Sequence, residues 1–394
     1  MSEESVRTVV LKTMGDDNRP LRDLITNYLI FTIASALETS SMVDVYDLIS
    51  ACYRSFLSLY SAADAQWLTP LLMNLSYSLI RWANFADEEQ PNAKELKISD
   101  AASSSHLSKA LHIVIGDKST NQIENSKRRA LYYLANLTFR AYFKLRSTRL
   151  IPTVMANISN AGAALSEYPM SEQVTYRYYV GRYHLYQLDL RRAESDLAFA
   201  FRNCPDLSHD DEDNNDGNMI AFKNGRLILI YLTACRLCLG RMPSVQLLQE
   251  YGLDTYFEPL KKAIKLGDLS LLDQKLMSPE LMSWFVEKEL FFLLKEKLQV
   301  LCWRSLIRKT CLVSRKPTDP PQMRVQLYAL LTIVRALTQD DSYDIYDVEC
   351  ITASLLDQGY IKGYIHSRKK ILVLGKTNPF PIVYSVGVIQ EVAS

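Results

Sequence analysis

From Leu21 to Trp303, apolar residues recur at three- and four-residue spacings. Proline or polar clusters separate the runs, and no strand-like alternation of comparable length interrupts them. This periodicity commits most of the chain to helices. It predicts thirteen of them between Leu21 and Leu298, among them Leu21–Glu38, Val43–Leu59, Trp67–Asn84, Lys127–Lys144, Ser171–Leu185, Arg191–Asn203, Met219–Leu239 and Leu281–Leu298. Helices without a sheet must bury their apolar stripes on one another, and stacked helix pairs forming a solenoid do so. Composition agrees, because 13 Gly and 14 Pro are few for 394 residues, whereas alternating strands and helices use more glycine in their turns. A hydrophobic content of 48% with a net charge of +1 excludes a disordered chain and a uniformly basic nucleic-acid binder.

One segment carries the spacing of a tetratricopeptide-like helix pair. In VTYRYYVGRYHLYQLDLRRAESDLAFAFRNCP, small residues stand at Gly181, Ala193 and Ala200, and Pro205 closes the unit. Two antiparallel helices that approach closely tolerate only small side chains where they cross. Arg177 and Tyr178 occupy the place of the usual first-helix tryptophan, so this copy is degenerate. An ordinary helical hairpin would account for the same residues. A second pair, LKKAIKLGDLSLLDQKL, has Ala263, with Gly267 as helix stop and Asp268 as the next N-cap.

The pattern changes after Cys302. Trp303–Val313 reads as a helix, Pro317, Pro320 and Pro321 break the chain, and Gln322–Leu337 and Ile345–Asp357 read as two further helices. Gly359 then stops the last helix, and GYIKGYIHSRKKILVLG reads as two short strands around a Ser367–Lys370 turn. Three helices and a hairpin make a winged helix. The expected fold class is therefore all-α with a small β-hairpin, a TPR-like helical-repeat solenoid capped by a C-terminal winged helix. The expected boundaries are a solenoid over 1–300, a winged helix over 301–378 and an extended tail over 379–394. Residues 86–100 read as a polar connector, and 206–216, with six acids and no Lys or Arg, as a solvated loop.

Searches for chemistry return little. Gly375-Lys376-Thr377 lacks the glycine a phosphate loop needs at 370, and Asn378-Pro379 leaves no helix to face a phosphate. Cys235 and Cys238 form a CxxC within an apolar helix, with no second ligand pair for zinc, and read as buried thiols. The seven cysteines show no regular framework and fit reduced thiols. His106, His112, His184, His209 and His366 are scattered, and no G-x-S-x-G or HExxH string exists. No catalytic residue, metal or cofactor is therefore expected. Glu3, Glu4, Arg7 and Lys12 interrupt any apolar run at the start, so no secretory leader or membrane association is expected.

Charge is distributed unevenly. Residues 300–376 hold 12 Lys/Arg against 7 Asp/Glu, so the winged helix is the basic end. Its third helix nevertheless carries Asp347 and Glu349, with Asp344 before it and Asp357 at its end, and has no Lys or Arg between 345 and 357. Phosphates would repel such a helix from a DNA groove, which argues against base-specific reading. The candidate nucleic-acid contacts are Lys362, Arg368, Lys369 and Lys370 on the wing and Arg304, Arg308 and Lys309 on the first helix. A solvated turn and helix face accounts for them equally well. A second basic stretch, Lys127, Arg128, Arg129, Arg140, Lys144, Arg146 and Arg149, could receive an acidic peptide. Alternating apolar residues in the wing suggest an exposed sheet edge, and Ile361, Tyr364, Ile371, Val373 and Leu374 are the candidate partner-binding residues.

A helical-repeat array ending in a winged helix is the layout of PCI domains. The strings YRYYVGRYHLYQLDLRRAESDLAFAF, NGRLILIYLTACRLCLGRMPS, WRSLIRKTCLV and ECITASLLDQGYIKGYIHSRKKILVLGKTNPFP resemble one PCI branch, over about residues 127 to 382. That branch contains the PCI subunit of transcription–export complex 2 and the signalosome twelfth-subunit-like proteins. The resemblance implies a non-catalytic nuclear scaffold, with or without a cytoplasmic pool. Such a subunit pairs with a larger PCI-domain subunit and a small acidic disordered lid-type subunit, and the assembly binds RNA or DNA. It couples transcription elongation, mRNA splicing and mRNA export. The alternative implied role is a scaffold of the signalosome or proteasome lid without nucleic-acid contact.

Overall fold

The computed structural model describes residues 3–14, 19–36, 41–89, 98–99, 102–117, 122–205, 215–314 and 324–386. Seventeen α-helices, several short 3-10 and π turns and one small three-stranded sheet make up the regular structure among these residues. None of the helices is long and apolar enough to cross a membrane. The chain divides into two compact units, Met1–Tyr183 and His184–Ser394.

The first unit holds α1 (Glu3–Met14), α2 (Arg19–Ser35), α3 (Met42–Tyr60), α4 (Thr69–Glu89), α5 (Ser108–Gly116), α6 (Leu131–Lys144) and α7 (Ile151–Asn160). Most of α8 (Met170–Tyr186) also belongs to it. Helix α3 shows why the packing is helix on helix. Val45, Ile49, Cys52, Tyr53, Phe56 and Tyr60 recur every three or four residues and are all buried. They meet Leu72, Leu75, Leu79 and Ala83 of α4 and Leu131 and Leu134 of α6 in one core. Buried hydroxyls there find neutral partners. Tyr53 Oη lies 2.8 Å from Ser76 Oγ, Tyr60 Oη 2.9 Å from Thr69 Oγ1, and Ser50 Oγ 3.0 Å from His106 Nε2.

The second unit begins at the end of α8 and continues with α9 (Leu190–Asn203), α10 (Asn215–Cys238), α11 (Val245–Glu250), α12 (Asp254–Leu266), α13 (Leu269–Leu276), α14 (Pro279–Glu287) and α15 (Phe291–Val313). Ala193 and Ala200 of α9 are fully buried, and α9 packs on α10, where Cys235 Sγ donates to the Leu190 carbonyl at 3.1 Å. Both CxxC thiols are buried, and burial pushes Cys238 up to about 12, so neither is a ready thiolate. The turn between α12 and α13 forms as read from the sequence. Gly267 takes φ +70°, and Asp268 caps α13 by accepting from the Leu271 N–H at 2.9 Å. A Cβ at Gly267 would lie 2.5 Å from the Leu306 nitrogen, so the turn presses on the backbone of α15.

The unit ends in β1 (Arg324–Gln326), α16 (Leu327–Thr338), α17 (Ile345–Asp357), β2 (Gly363–His366) and β3 (Ile371–Leu374). With α15 ahead of it, this order is that of a winged helix. The acids on α17 have a local cause. Asp344 accepts from the N–H groups of Tyr346 and Asp347, and the Asp347 carboxylate accepts from Asp344 N–H, which closes a capping box.

Three expectations change. Arg324–Gln326 is a strand rather than the start of a helix, and it pairs with β3, so the hairpin becomes a sheet of order β1-β3-β2. The first helix of the winged module starts at Phe291, because nothing between Leu298 and Trp303 breaks the helix. Residues 379–386 fold back onto the unit instead of trailing as a tail. Residues 387–394, and 206–214 of the acidic stretch, lie outside the described residues.

Candidate partner and nucleic-acid interface

The wing is built on β3. Gly363, Tyr364, Ile365 and His366 of β2 stand opposite Leu374, Val373, Leu372 and Ile371. A Cβ on Gly363 would lie 2.3 Å from the Val373 carbonyl oxygen, so the register requires glycine there. The Ser367–Lys370 turn closes with Lys370 at φ +52°, and the Lys370 carbonyl accepts from Leu327 N–H at the start of α16.

This geometry divides the predicted contacts. Lys362, Arg368 and Lys369 are exposed, as are Arg308 and Lys309 on α15. Lys370 is not a free cation. Its ammonium pairs with the Glu349 carboxylate on α17 and sits 4.5 Å from the Tyr346 ring centroid. That pairing pushes Lys370 up and holds Glu349 below the usual carboxylate range.

Arg304 is a correction. It is only 9% exposed, and its guanidinium donates to the carbonyls of Tyr360 at 3.3 Å and Pro381 at 2.6 Å. Burial, with Arg308 close by, holds it below the ordinary arginine range. It does not meet solvent phosphate in this conformation.

The partner-binding residues also separate. Ile361, Val373 and Leu374 are buried and Ile371 is half-buried, because β3 is the central strand with neighbours on both sides. Their alternation reports the core of the winged helix and not a docking edge. Tyr364 alone of the five projects outward, at 58% exposure. It lies on β2, whose outer side carries no strand among the described residues.

The second basic stretch is not one face either. Lys127 is buried, donates to the Ala62 carbonyl at 2.7 Å and lies 5.1 Å from the Tyr60 ring centroid. Lys144 donates to Asn84 Oδ1 at 2.7 Å. An uncharged groove of about 580 Å³ between α5 and α7, lined by Leu111, His112, Tyr142, Val154 and Asn157, includes none of the predicted residues. No group of three His, Cys, Asp or Glu side chains converges among the described residues.

Sequence reading missed a polar cluster at the end of the chain. Glu194 of α9, nearly buried, accepts from Arg236 Nε at 3.1 Å and Arg241 Nη1 at 2.8 Å. Arg241 also stacks on the Tyr384 ring, 3.9 Å from its centroid. Arg191 Nη2 donates to the carbonyls of Tyr384 at 2.7 Å and Val386 at 3.2 Å. No local spacing announces this cluster, since its two halves are about 190 residues apart in sequence.

No family model matches the chain. Curated relatives match it over most of its length. A PCI domain-containing protein of Schizosaccharomyces pombe is 34% identical over 92% of this chain and 80% of its own. PCI domain-containing protein 2 of Xenopus laevis is 31% identical over 89% and 82% respectively. This chain belongs to the PCI domain-containing protein 2 family. It is the branch to which the strings between residues 127 and 382 pointed. The plant relative named enhanced ethylene response protein 5, from Arabidopsis thaliana, is 27% identical over 89% of this chain.

Proposed function

We propose that this PCI-domain protein is a non-catalytic scaffold subunit of a nuclear complex that couples transcription, mRNA processing and mRNA export. It pairs with a larger PCI-domain subunit, carries a small acidic disordered lid-type subunit on its helices, and contributes sequence-independent nucleic-acid contacts to the assembly. The observation that carries this reading is the juxtaposition on one wing of a β2 edge bearing Tyr364, unpaired among the described residues, with the exposed cations Lys362, Arg368 and Lys369. An open edge offers main-chain groups to a second chain. Cations without base-reading partners give affinity for a phosphate backbone irrespective of sequence.

The test is charge reversal in the assembled complex. Lys362→Glu, Arg368→Glu and Lys369→Glu together should lower oligonucleotide affinity. Each lost phosphate contact should flatten the logarithmic salt slope by about 0.7 on a single strand, or roughly 2 for the three. Lys370→Glu, which removes a cation already paired with Glu349, should change the slope far less. Unchanged affinity in the triple variant would sink the nucleic-acid reading and leave a scaffold without that contact.

A further inference from the structure

The strap formed by residues 379–386, Pro-Phe-Pro-Ile-Val-Tyr-Ser-Val, contains no charged residue. It lies on arginines. Arg304 donates to the Pro381 carbonyl and has its guanidinium 5.8 Å from the Phe380 ring centroid. Arg191 donates to the Tyr384 and Val386 carbonyls. Arg241 lies over the Tyr384 ring, and the Tyr384 hydroxyl is 3.5 Å from Glu194 Oε2. Val383 fits against Gly240, where a Cβ would come within 2.6 Å of it. Arg236 completes the group through its ion pair with Glu194. Four arginines and one glutamate therefore face or border a neutral strap.

We infer that the strap is an autoinhibitory cover over an arginine-lined surface that takes single-stranded nucleic acid when the strap is displaced. The strap offers these guanidiniums carbonyl oxygens and ring faces. A phosphodiester offers them anionic oxygens, and charge-assisted hydrogen bonds of that kind are roughly twice as strong as neutral ones. Aromatic rings beside arginine also resemble the stacking partners that single strands supply, so a base can take the place of Tyr384. The strap thus makes weaker versions of the interactions a nucleic acid would make, which suits a cover that must leave. The inference rests on the nucleic-acid reading proposed above. It adds a second surface to the wing and gives Arg304 a role only in the displaced state.

The experiment measures binding of a fluorescein-labelled oligouridine of roughly 15 nucleotides, as a function of salt, to three forms of the full chain. Val383→Gly combined with Tyr384→Ala loosens the strap, and Ser385→Glu is designed to tighten it by adding a carboxylate between the two residues whose carbonyls Arg191 holds. The loosened form should bind about tenfold more tightly than the unmodified chain, with a salt slope steeper by about 1.4 as Arg191 and Arg304 lose their strap acceptors while Arg241 keeps Glu194. Arg191→Gln in the loosened form should reverse part of that gain. The tightened form should bind more weakly than the unmodified chain. Equal affinity and slope in all three forms, with Lys369→Glu still weakening each, would overturn the strap inference and leave the wing intact. No binding by any form, alone or assembled, would overturn both. If a melt shows that the loosened form does not fold, the tightened form decides, and its failure to weaken binding is the overturning result.

Discussion

Each unit of the molecule holds a glutamate withdrawn from water, and the two are treated differently. Glu194 in the second unit is saturated by two guanidiniums. Glu172 in the first unit lies near Arg129, but its Oε2 meets no hydrogen-bond partner, and burial pushes its carboxyl up to about 7. Elsewhere in that unit's interior neutral pairs predominate, with tyrosine hydroxyls on serine and threonine and edge-to-face rings such as Tyr132 on Tyr168 and Tyr176, while the buried charges Lys127 and Asp87 are bonded to backbone groups. The comparison shows two ways of placing polar groups inside a helical stack. One uses short neutral pairs fixed by packing. The other uses arginines, which can exchange one acceptor for another by rotating their side chains.

The largest expected effect breaks the arginine side of the comparison. Glu194→Ala leaves Arg236 and Arg241 without their shared carboxylate, and loosens Tyr384 with it. Both arginines reach solvent in part, so the cost in denaturant unfolding should be about 1–3 kcal/mol. That is less than the cost of stranding a fully buried charge. A change below the error of the melt would show that the cluster is a surface feature.

A middle-sized effect concerns Glu172. Its folded-state pKa is raised, so the folded chain holds a proton that the unfolded chain has already lost between about pH 4.5 and 7. Stability from this group is therefore present below pH 4.5 and falls as pH rises through 7. Glu172→Gln should remove that slope and make the variant more stable than the parent at pH 8 by roughly 1 kcal/mol, after allowance for solvent near the carboxylate. Parallel pH profiles for the two proteins would show that the carboxyl titrates normally.

The smallest effect sharpens the neutral side. Tyr53→Phe deletes a hydroxyl whose partner, Ser76, also donates to the Leu72 carbonyl at 2.7 Å. Because Ser76 keeps that bond, the loss should be about 0.5 kcal/mol, the low end for a neutral hydrogen bond, in the same unfolding experiment. A larger loss would mean that the neutral pairs are as tightly coupled as the charged cluster.

What the sequence discloses follows from how local the determining interactions are. Helix α17 runs over Ile345–Asp357 as read, because Asp344 caps it and Gly359 takes the left-handed conformation just beyond its end, all within a few residues. Strand β1 escaped notice. Its alternation spans only three residues, and its partner strand lies more than forty residues further on. The wing cations at 362, 368 and 369 were legible as surface because a tight turn exposes them. Arg304 was read as surface because arginine usually is, and its burial depends on Pro381, 77 residues away. The same distance effect turned the apolar pattern of Ile371–Leu374 from an edge into a centre, since the strand that covers it comes from before α16.

Helix α15 has one more implication. It is a single rod of 23 residues, about 34 Å long. It packs against α12, α13 and α14 and also against α16, α17 and β1 of the winged module. No proline or glycine falls between Phe291 and Val313 to act as a hinge. A torque applied to the wing by anything seated there is therefore delivered, without slack, to α12, α13 and α14, which pack on the same rod.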